Sequence, residues 1–294
     1  MYLLYIFVHI KIIRKSALPD KIIRMRRPLL LSLIILLIGG MNTTCKKDKG
    51  EPPVLPPYAS MVIDFSNFTT FKKSLPEDGF FKGTENSTWE FAAGLAGIWY
   101  TLISSNIQVP LDAFEAASGY KPVYVSENLW QWSYGFTSGT AGYKAKLKGK
   151  VSTGSVAWKM YITDETTGGF TDYLWIEGTA KSDGSGGQWF FRQSPASDVQ
   201  IFQEDWTRSG DVVTSVKYTY TKSDSNNGSY ITYTVLSSSQ FDSAYHIHFA
   251  DGSYADSDIE WNSVTMDGRL KCLDYLQDQN WYCWDTNKIN KICD

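Results

Sequence analysis

The sequence predicts a mainly β protein. It would be an antiparallel meander forming a curved sheet or incomplete barrel, with one or two helices, one of them apolar and packed on the concave face. Three observations predict this. From Leu129 onward the hydrophobic period is two. Glycine-rich turn sequences, and no helix-length pattern, separate the segments that carry that period. Ahead of them stands one stretch that is apolar on every side.

The N-terminus comes first. Lys21, Arg24, Arg26 and Arg27 precede the apolar run Leu29–Ile38, which only Ser32 interrupts. A positive segment followed by a short apolar one has the form of a secretory signal, and it is too short for a comfortable membrane span. Small and polar residues lead to Cys45, and the chain then turns polar at Lys46-Lys47-Asp48. This region resembles the signal of Bacteroidota-type surface lipoproteins. Asn42 and Thr44 depart from the Leu and small residue usual in that pattern.

The resemblance implies acylation of Cys45, export, and lipid anchoring to the outer membrane with the chain surface-exposed. The alternative is a periplasmic protein cleaved in the ordinary way. A second apolar stretch, Tyr2–Ile10, precedes Met25, so residues 1–24 read as an extension ahead of the true start. Residues 25–44 read as the signal peptide and residues 45–58 as a tether rich in Pro and Lys. Pro52, Pro53, Pro56 and Pro57 favour extended chain there. Residues 59–294 read as a single β-rich domain.

Within that domain, Ser87-Thr88-Trp89-Glu90 has the spacing of a capping box. The stretch Phe91–Ile103 follows and is nearly all apolar. Pro110 suits the first turn of a short second helix. Then Trp130, Trp132, Tyr134 and Phe136 alternate with polar residues. Tyr143, Ala145, Leu147, Gly149 and Val151 alternate with Lys144, Lys146, Lys148 and Lys150. One wet and one dry face favour antiparallel pairing. Similar runs continue to Ile259 and Trp261, with turn signals such as Ser209-Gly210-Asp211 and Asn227-Gly228 between them. About ten strands are expected, counted on the usual strand and turn spacing. The element order resembles the half-barrel of periplasmic lipoprotein carriers.

Composition excludes some functions. Hydrophobic residues make up 43% of the chain, enough for a core, so global disorder is excluded. Residues 46–294 carry 21 Lys/Arg against 30 Asp/Glu. A domain that acidic makes a poor nucleic-acid partner. No phosphate-cradling glycine loop, nucleophile elbow, zinc-protease helix or paired-cysteine motif occurs. No cofactor and no catalytic residue are predicted.

The remaining candidates are these. His246 and His248 share one strand face, and Asp256 and Asp258 follow on the next strand. If the turn keeps parity, these four would meet. They would form a metal site or, in the plainer reading, cross-strand charge pairs. Cys283 and Cys293 are the preferred disulfide, with Cys272–Cys283 as rival. Asp242-Ser243-Ala244 marks Ser243 as a candidate for O-glycosylation. Trp99, Tyr161 and Trp175 are candidate ligand contacts, the last two because they fall at the parity opposite to the core. The expected partners are the membrane, through the lipid, and a glycan or an envelope protein. The expected function is non-catalytic binding or scaffolding. A carrier of a lipid or other apolar ligand in a half-barrel cavity is one alternative and a hydrolase another.

Overall fold

The computed structural model describes residues 49–68, 85–254 and 256–293. Cys45, the signal and residues 1–24 lie outside them. Fourteen strands form one antiparallel sheet in strict meander order. They are β1 (Val123–Ser126), β2 (Leu129–Ser138), β3 (Ala141–Ser152), β4 (Ser155–Thr163), β5 (Tyr173–Lys181), β6 (Gly186–Ser194), β7 (Ser197–Ser209), β8 (Val212–Tyr220), β9 (Tyr230–Val235), β10 (Ser243–His248), β11 (Asp256–Trp261), β12 (Gly268–Cys272), β13 (Tyr282–Trp284) and β14 (Asn290–Lys291). A long helix, α1 (Ser87–Ala117), precedes them, and a single helical turn, α2 (Leu273–Leu276), follows β12.

The sheet does not close on itself, but it wraps α1. The helix touches β2, β3, β4 and β6 and also β12, β13 and β14, near the other end of the sheet. Only a bent sheet brings both ends to one helix. The two expected helical segments run together, with a kink at Ile107 (φ −129°, ψ 15°) one turn before Pro110. Proline removes a backbone donor and crowds the preceding turn, which accounts for the bend.

The capping box does not form. Asn290 of β14 caps the helix instead. Its Oδ1 accepts from the Thr88 amide at 3.1 Å, and its Nδ2 donates to Ser87 Oγ at 3.0 Å. The last strand thus satisfies one orphan donor of α1.

The inner face is aromatic and buried. Phe91 of α1 stacks on Tyr275 at 3.8 Å between ring centroids, Trp99 lies against Phe249, and Phe114 meets Trp189 edge-on. One inner row crosses the sheet as Trp130, Gly149, Trp158, Gly178, Trp189, Glu204, Tyr218, Ile231, Ile247, Ser257 and Cys272. Indoles and glycines alternate along its first half. A Cβ at Gly149 would sit 2.8 Å from Trp158 Cζ3, and one at Gly178 would sit 2.6 Å from Trp189 Cε3. These glycines are the slots into which the indoles fit.

The proline-rich segment belongs to the fold. The compact unit begins at Gly50. Pro56 is buried, and the Pro53 ring covers Gly149. Farther along, the Tyr218 hydroxyl donates to Met61 O at 2.6 Å and the Tyr245 hydroxyl donates to Asp64 O. Residues 50–58, expected as tether, are therefore a strap docked on the sheet. Cys283 and Cys293 form a disulfide that joins β13 to the chain just past β14. Closing a loop of that size contributes about 2–3 kcal/mol. Cys272 stays a buried free thiol, and burial pushes its pKa up.

Candidate functional site

Strand parity leaves the outer face polar, and the register lines its side chains into a cross-strand row. From β5 to β12 the row reads Thr179, Gln188, Asp205, Lys217, Thr232, His246, Asp258 and Lys271. Neighbours in such a row stand about 5 Å apart, within reach of one another.

Two groups in the row are knitted together. Asp205 accepts from Gln188 Nε2 at 2.6 Å through one oxygen and from Gln203 Nε2 at 2.8 Å through the other. Three strands on, His246 Nδ1 lies 2.7 Å from Asp258 Oδ1, and its Nε2 lies 3.0 Å from the Tyr230 hydroxyl. Lys271 Nζ reaches the other Asp258 oxygen at 3.0 Å. His248 pairs with Asp256 at 3.1 Å and stacks on Tyr230. Lys217 Nζ sits 3.9 Å from the Tyr230 ring centre.

Electrostatics follow from these bonds. The Asp258 carboxylate raises the pKa of His246 against the opposing effects of partial burial and Lys217. The same bond, helped by Lys271, lowers the pKa of Asp258. Burial, then Asp256 and Asp258, raise the pKa of Tyr230, which keeps it a neutral phenol. The trio Tyr230–His246–Asp258 is thus a hydrogen-bonded set in which the carboxylate favours the protonated imidazole and the phenol stays neutral.

The β10–β11 turn keeps parity, so the two histidines and two aspartates do meet. They meet as two cross-strand pairs, His246 with Asp258 and His248 with Asp256. Both ring nitrogens of His246 and both oxygens of Asp258 have protein partners. Among the described residues, no group of three His, Cys, Asp or Glu is placed to hold a metal ion.

Three candidates need correction. Trp99 is fully buried between helix and sheet and presents nothing to a ligand. Trp175 is 6% exposed. A bulge explains it: Met160 pairs with Ile176 and Tyr161 with Leu174, so Trp175 is the extra residue and turns inward. Its ring packs on Phe170 and Tyr173. Ser243 is 4% exposed, held between Val235 and Trp261, so its hydroxyl is covered in the folded chain. Tyr161 does lie on the outer face, half-buried, with Lys148 Nζ 4.9 Å from its ring centre.

Sequence reasoning missed a cleft of about 610 Å³ along the polar row. Thr179, Lys181, Gln188, Asp205, Lys217 and Thr232 line it. Gly186 and Gly187 form part of its wall. Only the register shows which polar residues share the cleft. A carboxylate pair is not offered here. Asp205 faces the outer side and Glu204, its neighbour along β7, faces the core. Among the described residues no helix is long and apolar enough to cross a membrane. No family model, no curated protein and no solved structure matches the chain.

Proposed function

We propose that the chain is a non-catalytic envelope lipoprotein whose outer sheet face binds a glycan. The cross-strand polar row beside the 610 Å³ cleft carries this reading. A sugar presents hydroxyls that both donate and accept, and the row interleaves an amide, a carboxylate, an ammonium and a hydroxyl at ligand reach. The next row on the same face places half-buried Phe190 and Tyr230 on either side of Gln203 and Thr219. Rings of this kind pack against the apolar faces of sugars. The inner face is committed to α1 and the strap, so the outer face is the surface left for a ligand.

A glycan array with the full chain tests the reading. Binding should appear for at least one glycan class, and Asp205→Ala with Lys217→Ala should weaken it at least about tenfold, the loss of one to two good polar contacts. An empty array overturns it. The anchor is tested separately. Cys45→Ala should release the protein from membranes and abolish acyl labelling, and continued membrane retention would point to an uncleaved helix instead.

A further inference from the structure

The lysine alternation on β3 is not absorbed by the cleft. Strands β2, β3 and β4 carry Lys144, Lys146, Lys148, Lys150 and Lys159 and no Asp or Glu at all. This stands out in a chain whose residues 46–294 hold 30 acids against 21 bases. Parity sends the four β3 lysines to the outer face, because Ala145, Leu147 and Gly149 between them are buried. Lys159 joins them from β4, directly across from Lys148. Successive lysines along β3 are about 7 Å apart, so the ladder runs about 20 Å.

Three of the five charges are met, Lys144 by Glu165 at 2.7 Å and Lys146 by Asp172 at 2.8 Å from the β4–β5 loop, and Lys159 by Glu177 of β5 at 3.4 Å. The two loop pairs are solvent-exposed and can be exchanged for a ligand's charge. Among the described residues, Lys148 and Lys150 have no carboxylate within 4.0 Å. Ala157 faces outward between Lys150 and Thr179, so only a small side chain separates the ladder from the polar row of the cleft.

We infer that the ladder is a subsite for an anionic polysaccharide, a chain with a carboxylate on each sugar, that continues into the cleft. The inference rests on the carbohydrate-binding reading and names its ligand class. A long, flat row of cations on a sheet complements an extended polyanion, and the half-buried Tyr161 ring beneath Lys148 offers a sugar face a platform.

The test uses the full chain with polygalacturonate, neutral dextran and phosphatidylglycerol vesicles as probes, at about 50 and 300 mM salt, where screening differs strongly. Polygalacturonate should bind at least about tenfold more tightly than dextran at low salt and lose about tenfold at high salt. Lys150→Glu should remove that preference. Lys222→Glu, an equal charge change on the β8–β9 loop, should leave it. Equal losses in the two variants would overturn the inference. So would Lys150-dependent capture by vesicles without polygalacturonate binding. Binding of a neutral glycan that needs Asp205, with no polygalacturonate binding, would overturn the ladder subsite and leave the cleft reading intact. If no glycan binds, the reading beneath it falls as well.

Discussion

Replacing Glu204 by Met should stabilise the protein, and the gain should grow with pH. Glu204 is 0% exposed, and among the described residues neither carboxyl oxygen has a hydrogen-bond partner. It sits between Trp189 and Tyr218 in the inner row, with Tyr58 of the strap beyond Tyr218. No base faces it. The charged neighbour that acts on it is Asp205, and Asp112 and Glu115 of α1 act on Tyr58 nearby. Burial first, and Asp205 second, hold its pKa well above the usual carboxylate range. The folded state therefore keeps a proton that the unfolded chain releases above pH ~4.3.

Stability contributed by such a group is lost as pH rises. Each pH unit between the unfolded and the folded pKa costs about 1.4 kcal/mol. A neutral carboxyl without a partner costs a further 1–3 kcal/mol, about the desolvation of one polar group. Met has a similar length and adapts to irregular space. Denaturant unfolding of wild type and Glu204→Met at pH 5, 6.5 and 8 should give a stability difference that widens with pH, by at most about 1.4 kcal/mol per unit. A gain independent of pH, or a loss at pH 8, would mean that Glu204 has a partner when folded.

The same residue explains one limit of the sequence reading. Strand β7 does not stand out because Glu204 and Asp205 interrupt the apolar alternation of Phe202 and Trp206. A charge at core parity is what a reader takes for a loop. Strands β12, β13 and β14 are too short to show a period at all, so about ten expected strands became fourteen. The lysine and tryptophan alternations of β2–β4 were legible because each face has one chemistry over nine or more residues. The histidine–aspartate meeting was legible because a single turn fixes it.

The polar row was not legible. It depends on the registers of eight successive strands, and the sheet contains several shifts, including those at Met160/Tyr161, Phe191/Arg192 and Thr207/Arg208. Each shift can flip parity, as it does for Trp175. The helix cap failed for a related reason. Asn290, about two hundred residues from Ser87, supplies it, and local spacing carries no trace of a distant partner.

The indole slots make the second large prediction. Glycine normally weakens a strand by about 0.5–1 kcal/mol relative to Ala, so Gly142→Ala, where a Cβ meets nothing within 4 Å, should be neutral or mildly stabilising. Gly178→Ala should do the opposite, costing about 3 kcal/mol or abolishing folding. Its Cβ would run into the backbone oxygen of Gln188 and stand 2.6 Å from Trp189 Cε3. Backbone cannot rotate away, so Trp189→Phe should recover little.

Gly149 is the informative contrast. A Cβ there meets only side chains, Trp158 at 2.8 Å and Pro53 at 3.1 Å. Gly149→Ala should cost about 1–2 kcal/mol. In the double variant, Trp158→Phe should restore part of that loss, a coupling readable from a double-mutant cycle. Equal costs at Gly142, Gly149 and Gly178 would show that the glycines set chain flexibility and not indole seating. Recovery by Trp158→Phe at Gly149, with little recovery by Trp189→Phe at Gly178, would show that Gly149 seats an indole and that Gly178 also lets two backbones approach.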